Sequence, residues 1–385
     1  MPSPSSSDTR GLRAAAWALR AQFFVSGALF ATWGVHVPSV KSHYGLGEQS
    51  LAVAMLAAGV GAIAALLQAG RIVARHGPRR VALAMGVLSA ACIGALLASR
   101  SYGALLGVML AYGASASLFD VAINAEASEI ERRAARPLMS GFHGMFSLGG
   151  MVGAGAGSAL AAAQVAAVPH LAGAALACSA LVLAACARML PRVDGGPQEG
   201  TPLSLPRGPL ALLGLLAAIG LVAEGAMYDW SVLYLRQEIG TAAATAALGY
   251  TSFSAAMAAG RFGGDALRAR LAPVAVLRGS GTLGALGMAL ALLVPHPAAV
   301  LVGFALVGLG FANIVPVLFS AASQVPGVSP AHGIAAVSSA GYLGMMAGPP
   351  AIGFIAEGRS LGAGLALVVL FAAAVALAAR RALPR

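Results

Sequence analysis

The apolar residues of this chain occur in blocks of about 20, the length at which a helix spans a hydrocarbon core of ~30 Å. Of its 385 residues, 59% are hydrophobic and only 10% are charged, whereas a soluble domain carries about 25% charged residues. The charged surface needed to cover a soluble core of this size is missing. The segments of a membrane β-barrel would be shorter, at about 10 residues, and would alternate in polarity. The sequence therefore predicts an all-α membrane protein.

Twelve blocks can be delimited, and each is predicted to be one transmembrane helix. The first six are Ala14–Pro38, Ser50–Gly70, Val81–Ser99, Tyr102–Asn124, Leu138–Val165 and Pro169–Leu190. The second six are Pro209–Leu235, Thr245–Gly264, Pro273–Val294, Pro297–Phe319, Gly333–Ile355 and Ser360–Ala379. The segment between them is polar and rich in proline and glycine, as in a linker. We therefore predict an N-terminal six-helix bundle over 1–190, a cytoplasmic linker over 191–208 and a C-terminal six-helix bundle over 209–385.

The basic residues lie almost entirely on one side of the predicted helices. Twenty of the 24 lysines and arginines, Arg261 among them, fall on the side of the two termini, and only Lys41, Arg100, Arg236 and Arg359 fall on the other. Cytoplasmic loops of membrane proteins carry such an excess. We therefore predict a multi-pass protein of the inner membrane with both termini in the cytoplasm. The net charge of +11 encodes this orientation, so we expect contact with lipids and no nucleic-acid partner.

The two halves of the chain resemble each other. Trp33 ends the first helix of the first half, and Trp230 ends the first helix of the second. The second helix of each half ends at a glycine followed by basic residues, in segments 70–80 and 264–273. Weak internal symmetry of this kind is expected of a transporter built from parallel repeats, with a substrate site near the bilayer midplane.

The segment 70–80 resembles the cytoplasmic loop signature of the major facilitator superfamily. Its glycines permit a tight turn and its arginines anchor at phosphate headgroups. The matching residues are Gly70, Arg75, Gly77, Arg79 and Arg80, with Ala74 in place of the usual aspartate. With twelve predicted spans in two sets of six, the resemblance covers essentially the whole chain. It implies two pseudo-symmetric six-helix bundles.

A narrower resemblance is to the fucose-permease branch of this superfamily, and within it to the subgroup that contains the rhizopine transport protein. The fourth helix carries an acid-x3-Asn element in segment 120–126. A Phe-His-Gly run at 142–144 and a Ser-Leu-Gly-Gly run at 147–150 follow, and segments 223–226 and 229–231 of the seventh helix also fit. The resemblance implies proton-coupled uptake of a sugar or cyclitol-like solute.

Asp120 is the deepest acid of the first half. If the cytoplasmic headgroups begin near Glu129, Asp120 lies about 13 Å inside the bilayer at ~1.5 Å per residue. An ionisable group at such a depth is costly and functional by default. Asn124 lies one turn away on the same face and can hydrogen-bond the carboxylate or a shared ligand. We predict a reversible proton carrier, and the alternative is a structural aspartate that bridges to a neighbouring helix.

Two further ionisable residues lie within predicted helices. His143 is about one and a half turns into the fifth span. It could pair with Asp120 or Asn124 and exchange protons, or it could be a packing residue. Glu224 is ~22 Å from the start of the seventh span, past the midplane. It either binds substrate or protons, or pairs with a basic residue that the sequence does not identify.

The remaining candidates lie near helix ends or a helix break. Asp229 and Trp230 could form a gate or a sugar-stacking surface, and the alternative for the tryptophan is anchoring at the membrane interface. Trp33 and His36 occupy the corresponding end of the first span, where fucose permease has an acid. Asn313 precedes a proline by three residues and could line the cavity, because a proline break frees backbone carbonyls. The alternative at this position is a simple kink.

Small residues recur at helical spacing in two spans. Gly149, Gly153 and Gly157 are predicted to face another helix at close range. Their run is not a phosphate loop, because no strand precedes it and no lysine follows. The stretch 341–350 is predicted to pack in the same way, with a helix break at its two prolines.

The sequence shows no spacing of cysteines and histidines typical of a metal site and no nucleophile in a plausible setting. We therefore predict no metal, no cofactor, no catalytic residue and no enzyme. Cys92, Cys178 and Cys186 lie in predicted spans and are odd in number, so no disulfide framework is expected. The N-terminal segment 1–10 is polar and does not begin a signal peptide.

The favoured function is secondary active transport of a small polar solute with protons, by rocking of two bundles around a central cavity. One alternative is a proton-driven exporter of drugs or metabolites, because the residues do not specify direction. The other is a membrane-embedded enzyme or a sensor, which would need a metal or nucleophile site or a soluble output domain, respectively. We expect a small-molecule substrate, protons and membrane lipids as partners, and a monomer.

Reporter fusions test the predicted topology. Because the basic residues lie on the side of the termini, we expect fusions within 191–208 and at the C-terminus to report a cytoplasmic location. A periplasmic signal at either position would contradict the predicted orientation.

Overall fold

The structure, a computed structural model, describes residues 6–134, 138–190, 206–328 and 330–383. This part of the chain is α-helical and contains no strand. Its thirteen helices are α1 (Ser6–Tyr44), α2 (Glu48–His76), α3 (Pro78–Gly94), α4 (Tyr102–Ala134), α5 (Met139–Ala162), α6 (Ala167–Cys186), α7 (Leu210–Gln237), α8 (Ala243–Arg270), α9 (Pro273–Leu293), α10 (Pro297–Phe311), α11 (Ile314–Ala322), α12 (Pro330–Gly358) and α13 (Leu361–Ala382). Every predicted block corresponds to one helix, except that the tenth is divided into α10 and α11.

Nine helical segments of the described ranges are long and apolar enough to cross a membrane. They are α1, α2, α4, α5, α6, α7, α9, the joined α10–α11 and α13. α3 has 17 residues, and at ~1.5 Å per residue its length falls short of a hydrocarbon core of ~30 Å. Positions 191–205 of the predicted linker lie outside the described residues, so the boundaries of the linker stay a prediction.

The helix predicted over Pro297–Phe319 is interrupted between Phe311 and Ile314. The interruption puts Pro316 in the first turn of α11. Proline lacks an N–H, and the N–H groups of a first helical turn have no partner within the helix. The position of the break therefore avoids the loss of a hydrogen bond that Pro316 would cause inside a continuous helix.

The break predicted at the prolines of the eleventh span is wrong. α12 runs without interruption through Pro349 and Pro350. Membrane helices tolerate internal proline because neighbouring groups and local adjustments satisfy the freed carbonyls. A proline in the sequence therefore predicts a constraint on hydrogen bonding, and not always a helix end.

Glycine contacts join α1 to α5 and, at the equivalent place in the second half, α7 to α12. A β-carbon added at Gly149 would collide with the carbonyl of Phe24, and one added at Gly153 would lie 2.9 Å from the carbonyl oxygen of Ala28. A β-carbon at Gly344 of α12 would lie 2.7 Å from the Cα of Ala218 in α7. Small residues allow this close approach of helices in lipid. The predicted packing of Gly149 and Gly153 is confirmed.

Two other helix pairs repeat in the same manner. In the first half, α2 approaches α4 at Gly113, where an added β-carbon would collide with the backbone of Ala58. In the second half, α8 approaches α10 at Gly308, where an added β-carbon would lie 3.0 Å from the amide nitrogen of Met257. α3 contacts α6, and α9 contacts α13. Three pairs of helices thus recur in the two halves, as the internal repeat requires.

The chain forms two compact units, which are described separately. The first contains Met1–Trp33, Ala57–Gly153 and Ala166–Gly200, and the second contains Gly34–Leu56, Ala154–Val165 and Thr201–Arg385. α1, α2 and α5 are therefore each divided between the units. The second unit consists of the C-terminal helices together with one end of each of these three helices.

Replacement of Gly153 by leucine tests the contact between α1 and α5. The added side chain would push the two backbones apart, so we expect a loss of about 1–3 kcal/mol in stability. The measurement is the thermal unfolding temperature of the purified protein. Gly155→Leu is the matched control, because a β-carbon at Gly155 meets nothing within 4 Å. Equal unfolding temperatures for the two variants would contradict this packing.

Candidate functional site

Asp120 and Asn124 form a hydrogen-bonded pair on α4. The Asn124 Nδ2 donates to Asp120 Oδ1 at 3.1 Å and to the Asp120 carbonyl oxygen at 2.9 Å. Both side chains are half-buried. Among the described residues, no lysine or arginine makes an ion pair with Asp120. The expected contact between the amide and the carboxylate is confirmed, and it leaves the negative charge without a cationic neighbour.

His143 lies on α5 against the aromatic side chains of the first unit. Its ring meets the ring of Phe23 edge-on, with the centroids 5.2 Å apart. Phe23 in turn stacks on Phe142 at 5.7 Å. His143 is also exposed, so the contact with Phe23 does not decide between packing and coupling, and a role of His143 in coupling stays a prediction.

Glu224 makes a buried ion pair across the contact between α7 and α8. The Arg261 Nη2 lies 2.9 Å from Glu224 Oε1, and the side chains are 26% and 7% exposed, respectively. The Tyr228 hydroxyl donates to the same oxygen at 3.3 Å. The Tyr228 ring packs against the rings of Tyr250 and Phe253. The structure therefore supplies the basic partner of Glu224 that the sequence did not identify.

The sequence analysis counted Arg261 among the basic residues of the cytoplasmic side and did not identify it as the partner of Glu224. A signal was available, because Arg261 lies inside the predicted span Thr245–Gly264. A cation within a membrane helix needs a counter-charge. Which acid supplies the counter-charge depends on how α7 packs on α8, and the sequence of one helix does not specify this packing.

The predicted residues near the end of α7 are enclosed. Trp230 is fully buried, and its ring lies beside Gly353 of α12. Asp229 is also buried. In this structure the Trp230 ring therefore offers no face to a solute, and a role in stacking or gating stays a prediction.

The predicted residues near the end of α1 are also buried. Trp33 belongs to the first unit, and His36 belongs to the second. The His36 Nδ1 lies 3.2 Å from Ser39 Oγ, one turn further along the helix. These positions place the two side chains near the point where α1 passes from one unit to the other.

Asn313 occupies the break between α10 and α11. It is the residue before the first turn of α11, and its side chain is buried. The Asn313 Nδ2 donates to the carbonyl oxygen of Gly260 in α8 at 3.3 Å. The Asn313 amide thus bonds the break to a neighbouring helix. This contact favours a structural role for Asn313, and its role in lining a cavity stays a prediction.

The signature segment 70–80 contains a tight turn between α2 and α3. Gly77 has φ 80°, a conformation that favours glycine, and Pro78 begins α3 directly after it. Gly70 lies within α2, which continues to His76, so the tight turn of this segment is at Gly77. Arg75 and Arg80 are exposed and Arg79 is half-buried, as headgroup anchors would be.

Within each unit, the structure gives one predicted acid its polar partners. Asp120 and Asn124 share a helix of the first unit. Glu224 belongs to the second unit, where Tyr228 and Arg261 complete its cluster. Tyr228 and Arg261 are the polar residues of this cluster that the sequence analysis did not propose.

Three hydrogen bonds in the second unit tie the ends of α1, α2 and α5 to the C-terminal helices. They join Lys41 Nζ to Gln237 Oε1 at 3.3 Å, the Gln49 amide to Glu357 Oε2 at 3.0 Å and the Ser158 hydroxyl to the carbonyl oxygen of Ala244 at 2.8 Å. We call these bonds the end contacts. Lys41 also forms an ion pair with Glu48. The partners lie far apart in the sequence, so no local pattern predicts them.

Comparison with known proteins gives one family. The model of the Major Facilitator Superfamily matches residues 19–349. The chain is 36% identical over 362 residues to an uncharacterized MFS-type transporter of Yersinia pestis, and the match covers 94% of each chain. It is 32% identical over 359 residues to the membrane protein MosC of Rhizobium meliloti, covering 93% of this chain and 87% of MosC.

Two solved structures share the fold. The D-xylose-proton symporter has a TM-score of 0.77 at 12% identity, covering 96% of this chain and 98% of that one. The fucose:proton symporter FucP of E. coli has a TM-score of 0.64 at 16% identity, with the same coverage. The twelve-helix, two-bundle fold is therefore confirmed. The resemblance to the fucose-permease branch and its rhizopine-transport subgroup fits these relatives.

Lys41→Met tests the end contacts. Loss of the ammonium removes its bonds to Glu48 and Gln237, and a partly exposed pair is worth about 0.5–1 kcal/mol. We therefore expect a cysteine placed at Ala246, which is 2% exposed, to be alkylated about two to five times faster in an otherwise cysteine-free chain.

Arg359→Met is the matched control for this experiment. It removes one positive charge beside Glu357 and leaves the three end contacts in place. Equal alkylation rates in the two variants would show that Lys41 does not hold these segments together.

Proposed function

Because the chain belongs to the major facilitator superfamily, we propose that it takes up a small polar solute, sugar-like or cyclitol-like, together with protons. The family establishes a membrane transporter. The solute class is supported by the segments that resemble the fucose-permease branch. It is also supported by the shared fold of two sugar–proton symporters, although fold alone does not carry a substrate from one protein to another.

We propose alternating access as the transport cycle. The division of α1, α2 and α5 between two compact units supports it. A helix whose two ends pack in different units has to bend or shift when one set of contacts opens. The three end contacts are polar, so each of them can break at a modest cost.

We place proton coupling at Asp120, and the observation that carries this choice is its lack of a cationic partner among the described residues. A lone carboxylate at this depth is costly when charged and far less so when protonated. Binding and release of a proton can therefore follow changes in its surroundings.

Glu224 is less suited to this role. Its charge is balanced by Arg261 at 2.9 Å. Protonation of Glu224 would remove one charge of this buried pair, and breaking a buried pair from one side costs about 3–5 kcal/mol. Asp120 and Glu224 thus have different tasks in the proposed mechanism, although both are acids in membrane helices.

For the cellular setting, we propose the inner membrane, with the two termini and segment 191–208 in the cytoplasm. The uneven distribution of basic residues supports this orientation. The end contacts would then lie at the periplasmic end of the helices. We also propose that the transporter is a monomer, and that membrane lipids and the solute are its partners.

Asp120→Asn tests the coupling. The amide keeps the size of the side chain and part of its hydrogen bonding but cannot carry a proton. We expect uptake against a gradient to fall at least about tenfold, since coupling is lost, while exchange between preloaded compartments continues. The measurement is uptake of labelled L-fucose, D-xylose or myo-inositol into proteoliposomes under an imposed pH gradient.

Asp229→Asn is the comparison variant, because it makes the same chemical change at a second acid within a predicted membrane helix. If the Asp120→Asn protein accumulates solute as well as the parent does, Asp120 is structural and the coupling lies elsewhere. If the parent accumulates none of the three solutes, the proposed function itself fails.

A further inference from the structure

A groove on the first unit lies between the N-terminal half of α1 and the end of α6. It is lined by Trp17, Leu181, Arg188 and five alanines, so seven of its eight lining residues are apolar. Its volume is about 370 Å³, within the range of ~300–1,000 Å³ found for small-molecule sites. A lining of this composition suits a hydrocarbon chain and offers little to a polar solute.

Arg188 gives the groove one charged end. It is exposed and lies two residues past Cys186, where α6 ends. None of the described acids forms an ion pair with it. Leu181, at the other end of the α6 lining, is about 10 Å away along the helix at ~1.5 Å per residue. The groove therefore runs from a positive charge along an apolar surface.

Trp17 is the large side chain that α1 contributes to the groove. It is 66% exposed, whereas the other two tryptophans of the chain, Trp33 and Trp230, are 3% and 0% exposed. The Arg20 guanidinium carbon lies 4.8 Å from the centroid of the Trp17 ring, a contact that favours this position of the ring. An exposed tryptophan close to an arginine is typical of the level of the lipid headgroups.

We propose that this groove binds an anionic phospholipid, with the phosphate at Arg188 and the upper part of an acyl chain between α1 and α6. A guanidinium donates strong hydrogen bonds to phosphate oxygens, and basic pockets between membrane helices bind anionic headgroups. A zwitterionic lipid carries an ammonium group that Arg188 repels, so it binds more weakly. The lipid site depends neither on the transported solute nor on its coupling to protons.

Quenching of Trp17 fluorescence by brominated lipid tests this site. The purified full-length protein is placed in phosphatidylcholine vesicles that contain a minor fraction of lipid with brominated acyl chains, either phosphatidylglycerol or phosphatidylcholine. We expect the brominated phosphatidylglycerol to bind with an affinity about fivefold higher, since one arginine near a membrane surface contributes about that factor. Trp17→Phe should lose the quenching, because the remaining tryptophans are buried.

Two pairs of variants locate the charge and the groove. Arg188→Gln should reduce the ratio of the two affinities to less than about twofold. Arg380→Gln removes another exposed arginine, at the end of α13, and should keep the ratio. Ala184→Leu fills part of the groove and should weaken the binding of both lipids, whereas Ala187 is outside the lining and Ala187→Leu should not. All four positions are exposed, so these changes leave the packed interior intact.

Four results would overturn the proposal. Equal affinities for the two brominated lipids in the parent would show a lipid contact without selectivity. An equal loss of selectivity in Arg188→Gln and Arg380→Gln would show attraction to the net charge of the protein instead of a site. Unchanged binding in Ala184→Leu would place the lipid outside the groove, and a lack of quenching by either lipid would show that lipid does not enter it. No solute or proton gradient is used, so the outcome is independent of the proposed transport.

Discussion

A bilayer offers no counter-charge to an ionised side chain, and this constraint governs the polar part of the structure. Arg261 and Glu224 meet it by pairing with each other at 2.9 Å. Asp120 has the Asn124 amide as its hydrogen-bond partner and makes no ion pair with any described lysine or arginine. The two acids thus satisfy the same constraint in different ways. Glu224 has a permanent partner in Arg261, whereas the charge of Asp120 is best neutralised by a proton. Their proposed roles differ for this reason.

The number and approximate position of the helices could be predicted from the sequence, because block length is a local property and lipid sets its scale. The effects of proline were harder to predict. Pro316 lies beside a break, whereas Pro349 and Pro350 lie within a continuous helix. Whether a freed carbonyl finds another partner depends on neighbouring helices, which the local sequence does not describe.

The candidate site could be predicted residue by residue, but not as an arrangement. Asp120, Asn124 and Glu224 stood out because polar groups are rare inside apolar blocks. The pairing of Asp120 with Asn124 followed from helical spacing, since they are one turn apart. The pairing of Glu224 with Arg261 did not follow from helical spacing, because the two residues are 37 positions apart. Contacts between helices depend on packing, and a single sequence carries no direct signal of it.

The contact of α1 with α5 has a consequence for the speed of conformational change. At Gly149 and Gly153 the surface of α5 is bare backbone lying against the backbone of α1. Where two helices interlock through large side chains, a shift of one along the other requires each side chain to leave its rotamer and find a new one. A surface without side chains has no rotamers to reset. Displacement at these two glycines therefore resets no rotamer, and the side chains that resist it are the aromatic ones elsewhere on the same helix pair, such as Phe23 against Phe142.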